Sequence, residues 1–241
     1  MPHLIDFALA AVFAVIWPLY TFFVEWPAHV KRVAAGDPDA RVRLYRKTFV
    51  QEWVVALAIF AVTIGSARPV VATLGLTTPQ GWRLVLGIAL PVVYAVLLVL
   101  QVPAIVNNAV IRSRMRGRLA PLLPLIPTRP QEWNWFRPLA VTAGICEEIM
   151  FRGYLVWVMQ PWLGLYGAAG ASVVIFGLAH GYQGGKFGAR AFLAGVGMGG
   201  LALATGSIIP SIVLHALIDL GSGYVTYRVM SDPAAESPAA A

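Results

Sequence analysis

Apolar residues form long runs along the chain, separated by short polar segments. A run of about 18 or more apolar residues can cross a hydrocarbon core roughly 30 Å thick. The pattern therefore predicts an all-α polytopic membrane helix bundle with about seven transmembrane helices. The predicted spans are Leu4–Val24, Thr48–Ser66, Leu84–Val106, Pro138–Gln160, Leu163–Gly181, Ala189–Thr205 and Ile208–Val229.

The segments outside these runs complete the predicted organisation. Leu119–Pro127, rich in proline and leucine, is too short to span, and is the candidate for an eighth, re-entrant or interfacial segment. The first span lacks a basic segment before it, so we expect a retained helix rather than a cleaved signal. Residues 1–230 are predicted to form a single transmembrane domain, and 231–241 (SDPAAESPAAA) a disordered C-terminal tail.

The composition agrees with a membrane location. Of the 241 residues, 59% are hydrophobic and only 12% are charged, and the mean hydropathy is +0.72. Because soluble domains carry about 25% charged residues, this composition indicates an integral membrane protein and excludes a disordered chain. The single cysteine, Cys146, excludes an internal disulfide and a cysteine-rich metal cluster.

The basic residues predict an orientation. The chain has 18 Lys and Arg against 11 Asp and Glu, and fifteen of the 18 fall on one side of the predicted spans. By the positive-inside rule, we expect an extracellular N-terminus and a cytoplasmic C-terminus, in the plasma (inner) membrane of the cell. Basic residues in short loops beside spans contact anionic lipid headgroups, so membrane lipids are the expected partners and nucleic acid is not.

Charged residues inside the fourth predicted span need an explanation. Glu147, Glu148 and Arg152 lie within six residues, and each charge in a span costs about 2.5–3.5 kcal/mol on insertion scales. Glu148 and Arg152 are spaced i, i+4, which predicts an ion pair on one helix face. Glu147 points about 100° away and has no partner on its own helix. Glu52, in the second span, is compatible with packing or an interfacial position, and we leave it out of the predicted site.

Two further spans contain the histidines. Phe176 and His180 lie one turn apart on the fifth predicted span, and His215 and Asp219 share a face of the seventh. If these spans adjoin the fourth, their side chains converge with Glu147 in one polar pocket.

Such a pocket suits hydrolysis by either of two mechanisms. A carboxylate can take a proton from water while an imidazole orients that water. Alternatively, Glu147, His180, His215 and Asp219 can hold a divalent metal ion, with Zn²⁺ the expected ion, since two imidazoles and one or two carboxylates form a common hydrolytic set. No organic cofactor is indicated. Two non-hydrolytic hypotheses remain: a non-catalytic scaffold or immunity factor that keeps the cluster for packing, and a carrier or haem protein.

Other intramembrane hydrolases do not fit the sequence. The chain has no His-Glu-x-x-His motif, and Asp219 is the only aspartate deep in a predicted span, so a zincin helix and an aspartyl dyad are excluded. Ser172 lacks the following glycine of rhomboid-type sites. Cys146 is expected to be a small buried residue rather than a nucleophile. The glycines of the sixth span are expected to permit close helix packing; these are Gly195, Gly197, Gly199 and Gly200.

The ordered motifs resemble the CPBP (Abi) family of intramembrane proteases, which includes the eukaryotic CAAX prenyl endopeptidases. The resemblance covers roughly residues 120–230. The motifs that carry it are Glu147-Glu148-x-x-x-Arg152, Phe176-x-x-x-His180, a glycine-rich helix and His215-x-x-x-Asp219.

This resemblance implies a helical membrane metalloprotease or glutamate protease whose cavity opens to the cytoplasm. Its substrate would be a peptide or a membrane-anchored protein. Glu147 and His180 would activate water, while Glu148 and Arg152 would brace the motif. The implied catalytic residues are Glu147, Glu148, His180, His215 and Asp219, with Arg152 and Phe176 as structural support.

The last motif of the family takes Asn or Asp, and this chain has Asp219. An asparagine amide can donate a hydrogen bond to an oxyanion, whereas an ionised aspartate cannot. Asp219 is therefore expected to be protonated, to orient His215 or to bind a metal ion.

Overall fold

The computed structural model describes residues 1–231, which form helices joined by short turns and contain no strand. Ser231 follows the last helix as a bend, and the rest of the predicted tail, 232–241, lies outside the described residues. The helices are α1 Leu4–Ala34 (with π-helical turns at Val12–Ile16 and Thr21–Glu25), α2 Ala40–Gly65, α3 Val70–Thr73, α4 Trp82–Val106, α5 Ala109–Leu119, α6 Pro130–Glu147, a π-helix Glu148–Leu155, α7 Val156–Ala179, α8 Gly185–Thr205 and α9 Ile209–Met230, with 3₁₀ turns at Ala120–Leu122 and Gly181–Gln183.

Six helical stretches are long and apolar enough to cross a membrane. One of them, Pro130–Gln183, has 54 residues, about 80 Å at 1.5 Å per residue. This length is more than twice a bilayer core. Its helix is broken at Gly164, whose φ of 65° and ψ of 171° are not helical. Beyond the break the chain folds back, because Ser172 Oγ donates to the carbonyl of Phe151 at 2.6 Å. The stretch therefore contains both the fourth and the fifth predicted spans, and the six stretches together confirm the predicted all-α polytopic membrane bundle.

One end of the bundle gathers most of the basic loops. His29 Nε2 lies 2.9 Å from the carbonyl oxygen of Pro124, and Arg116 donates to the carbonyl of Val229 at 2.8 Å. The loops after α1 and α4 and the C-terminus of α9 therefore share this end, which we call the basic end.

The opposite end holds the N-terminus. Asp6 accepts two hydrogen bonds from Arg68, both at 2.7 Å, and Thr77 Oγ1 donates to the carbonyl of Gly206 at 2.7 Å. Since residues 6 and 229 lie at opposite ends of the bundle, the chain between them crosses it an odd number of times, as seven spans require.

The predicted eighth segment, Leu119–Pro127, does not form a further helix across the bundle. It is a single 3₁₀ turn followed by bends. Tyr45 donates to the carbonyl of Leu125 at 2.6 Å, and Arg41 donates to the carbonyl of Leu123 at 2.9 Å. These bonds from α2 hold the segment over the basic end.

Glycines allow close approach between helices at some of the predicted positions. A Cβ on Gly195 would lie 3.0 Å from Arg152 Nη2, and one on Gly199 would lie 3.1 Å from a Val173 methyl. The prediction was wrong for Gly197 and Gly200, where a Cβ would meet no heavy atom within 4 Å, because these glycines face away from neighbouring helices.

Candidate active site

The first part of the site is an ion pair inside the bundle. Arg152 Nη1 lies 2.9 Å from Glu148 Oε1, and their side chains are only 2% and 0% exposed. Both residues belong to the π-helix between α6 and α7. The ion pair predicted from the i, i+4 spacing is confirmed, and it neutralises the two charges locally.

His215, on α9, is held by the same glutamate. Its Nδ1 lies 2.8 Å from Glu148 Oε1. Because this carboxylate oxygen is already the acceptor for Arg152, we place the His215 hydrogen on Nδ1. The lone pair of the neutral ring is then on Nε2, which faces Glu147.

His180, at the C-terminus of α7, has a similar orientation. Its Nδ1 lies 2.9 Å from the carbonyl oxygen of Phe176, which can only accept a hydrogen bond. The lone pair of the neutral ring is therefore on Nε2 as well. The Phe176 ring lies between the histidines, with its centroid 4.5 Å from that of His180 and 6.1 Å from that of His215.

Glu147 faces both histidines. Its Oε2 lies 4.0 Å from His180 Nε2 and 3.7 Å from His215 Nε2. These distances exceed those of direct hydrogen bonds, and this buried oxygen has no hydrogen-bond partner within residues 1–231. The arrangement brings one carboxylate oxygen and two imidazole lone pairs together around a small space.

Asp219 also lies at this cluster, but it does not anchor His215. Its Oδ2 is 3.6 Å from His215 Nε2, beyond hydrogen-bond distance. The histidine is oriented from its other nitrogen by Glu148. Of the roles expected for Asp219, the geometry therefore does not favour orientation of His215.

A cavity of about 550 Å³ contains all four groups, Glu147, His180, His215 and Asp219. It extends from the basic end, where Leu125 lines it, to Met198 inside the bundle. Most of the lining side chains are aliphatic or aromatic. His180, at the C-terminal end of α7, therefore shares this cavity with Glu147.

Glu52 was missed by the sequence analysis. Its side chain lines the same cavity from α2, its residue is 3% exposed, and its Oε2 is buried without a hydrogen-bond partner in the part of the chain that the structure describes. The sequence does point to Glu52, because an ionisable residue inside a membrane span is a functional candidate by default. Tyr182, whose ring stacks on His180 at 6.5 Å, was missed as well.

The same atoms can be tested as a metal site. The ligands of tetrahedral Zn²⁺, bound at about 2.0–2.1 Å, lie about 3.4 Å from one another, and the separations here are 3.7 and 4.0 Å. Within residues 1–231 no group of three or more His, Cys, Asp or Glu side chains is arranged to hold a metal ion. These separations are a few tenths of an ångström longer than those around a bound Zn²⁺ ion, so the side chains would have to move together to hold one.

Comparisons with known proteins agree with the motif analysis. Residues 129–221 match the model of a family described as type II CAAX prenyl endopeptidase Rce1-like. The matched range contains the glutamate pair and both histidines of the site. No curated protein and no solved structure gives a significant match to the chain.

Proposed function

We propose that the protein hydrolyses a peptide bond with a water activated by Glu147 and His180, as the match of residues 129–221 to the Rce1-like type II CAAX prenyl endopeptidase family suggests. The observation that carries this proposal is the position of Glu147 Oε2, 4.0 Å from His180 Nε2 and without a hydrogen-bond partner among residues 1–231. A water between these atoms can donate one hydrogen to the carboxylate and the other to the imidazole, which leaves a lone pair for attack.

Glu147 alone can carry the proton through both steps of the reaction. Glu147 takes a proton from the water, and the resulting hydroxide attacks the carbonyl carbon of the scissile peptide. When the tetrahedral intermediate collapses, the carbon–nitrogen bond breaks and Glu147 returns the proton to the leaving nitrogen. The products are a carboxylic acid and an amine.

The remaining residues prepare this step. Glu148 fixes the His215 ring from Nδ1, and Arg152 holds Glu148 in place. Asp219, whose side chain is 34% exposed, lines the cavity. In its protonated form it can donate a hydrogen bond to the oxyanion that forms on the substrate.

The cavity suits a lipid-modified peptide. The aliphatic and aromatic lining accommodates an apolar chain, while the polar cluster of Glu147, His180, His215 and Asp219 supplies the reacting groups. The C-terminal Cys-a-a-X sequence that gives the family its name is a site of prenylation at the cysteine. We therefore propose a prenylated C-terminal peptide, presented from the cytoplasmic leaflet, as the substrate class.

Zn²⁺ dependence remains a prediction with its own test. If the protein works without a metal ion, prolonged chelation followed by dialysis will leave the cleavage rate unchanged. A metal-dependent enzyme would instead lose activity and regain it with Zn²⁺, and elemental analysis of the purified protein would find about one equivalent of metal.

The decisive experiment compares two glutamates of one cavity. The protein is purified in detergent and assayed with a peptide ending in farnesyl-cysteine, two aliphatic residues and methionine. Glu147→Gln should reduce kcat by about 10²–10⁴-fold, the range for general acid–base catalysis. Glu25→Gln is the matched control, because Glu25 lines the cavity but pairs with Lys47 at 2.6 Å. Full activity of Glu147→Gln would contradict the proposed mechanism.

A further inference from the structure

Arg190 is the only Lys or Arg that lines the cavity within the described residues. It belongs to the face of α8 that borders the cavity, and the other residues of this face are apolar. The cavity-lining residues of α8 are Phe187, Arg190, Ala191, Ala194 and Met198.

No carboxylate pairs with this guanidinium in the part of the chain that the structure describes. Its contact is the Phe187 ring, 5.1 Å from Arg190 Cζ to the ring centroid. Glu25, another charged residue of the lining, is already paired with Lys47. Arg190 is exposed, so its five N–H donors remain available to an anion in the cavity.

The position of Arg190 matches the length of a short peptide. Gly188, two residues earlier, packs against Gly181, so Arg190 lies at about the level of His180. The axes of neighbouring helices such as α7 and α8 are about 8–10 Å apart. Three extended peptide residues span a similar distance, about 10 Å. A peptide cleaved at Glu147 can therefore place its chain end, three residues further on, at Arg190.

The charges of the cavity favour a bound peptide whose C-terminal carboxylate lies at Arg190. Glu147 and Glu52 line the same cavity, and their carboxylates would repel an anionic chain end near the reacting bond. An Arg guanidinium binds a carboxylate through two parallel hydrogen bonds. The C-terminal carboxylate of a substrate would thus be attracted to Arg190 and kept away from the glutamates.

We propose that Arg190 binds the C-terminal α-carboxylate of the substrate and so selects a peptide bond close to a free chain end. This assignment rests on the proposed function. It distinguishes a C-terminal peptide from an internal segment of a membrane anchor, which offers no carboxylate at that distance.

The test uses two forms of the farnesyl-cysteine peptide, one with a free C-terminal acid and one with a C-terminal amide. In neutral detergent without anionic lipid, the wild-type protein should cleave the acid about tenfold more efficiently, mainly through KM. Arg190→Gln should reduce the cleavage efficiency for the acid to that for the amide. Arg190→Lys should retain part of the preference for the acid.

Lys186→Gln is the matched control, since Lys186 lies one turn earlier on α8 and does not line the cavity. It should keep the preference for the acid. The assignment of Arg190 would be overturned if Arg190→Gln preferred the acid as strongly as the wild type does, or if the wild type cleaved the acid and the amide equally well. In either case cleavage of the peptide would still support the proposed function. If the effect of Arg190→Gln appeared only with added anionic lipid and did not depend on the peptide carboxylate, Arg190 would bind a lipid headgroup and the proposal would be overturned.

Discussion

Glu148 Oε1 lies 2.8 Å from Nδ1 of His215 and 2.9 Å from Nη1 of Arg152. One carboxylate oxygen therefore joins the π-helix to α9. The neighbouring Glu147 Oε2 has no hydrogen-bond partner in the part of the chain that the structure describes, so two adjacent glutamates have different surroundings. We expect the two to respond differently to substitution.

Glu148→Ala should destabilise the protein strongly. Loss of the carboxylate leaves the buried Arg152 guanidinium unpaired, and breaking a buried pair in this way costs about 3–5 kcal/mol. Thermal unfolding in detergent measures the effect, with Glu147→Gln as the matched variant that should unfold near the wild-type temperature.

Removal of both partners separates stability from catalysis. Glu148→Ala combined with Arg152→Ala should recover part of the lost stability, because no uncompensated charge remains. The double variant should stay inactive, since His215 no longer has its Nδ1 acceptor. If it regained activity, orientation of His215 by Glu148 would not be required.

Asp219→Asn should retain cleavage activity within about tenfold of wild type. Asp219 lies beyond hydrogen-bond distance from His215 Nε2, and an asparagine amide can donate to the oxyanion as a protonated aspartate does. Asp219→Leu, of similar size but without a donor, should lose about 10²-fold or more in kcat. Inactivity of Asp219→Asn would show that the carboxyl group itself is needed.

Gly144→Ala should reduce both stability and activity. A Cβ at this position would lie 2.7 Å from the backbone nitrogen of Ala216 and 2.8 Å from its Cβ. The overpacking should cost about 1–3 kcal/mol, and the displaced α9 would carry His215 away from Glu147. Unfolding temperature and kcat measure the two effects.

Gly197→Ala is the control for this substitution. It also adds one methyl group to a helical glycine, but no heavy atom lies within 4 Å of the new Cβ. Because alanine favours helix over glycine by about 1 kcal/mol, this variant should be as stable as wild type or more stable. Equal behaviour of the two variants would argue against close packing of α6 on α9 as a requirement of the site.

Local features of the site could be read from the sequence. The apolar runs predict the spans because the membrane thickness fixes the length of a crossing. The Glu148–Arg152 pair follows from an i, i+4 spacing, which a helix turn brings together wherever the helix lies. The positions of His180 and His215 were identified because ionisable groups inside spans are rare.

Relationships between helices were decided by the tertiary structure. Spacing on α9 left orientation of His215 by Asp219 open, whereas packing of α9 against the π-helix gives that role to Glu148. Glu52 is recognisable in the sequence as an ionisable residue inside a span, but its place in this site depends on the packing of α2 beside α6. The physical reason is that sequence spacing fixes the direction of a side chain on its own helix, while its partner depends on which helix packs there and at what rotation.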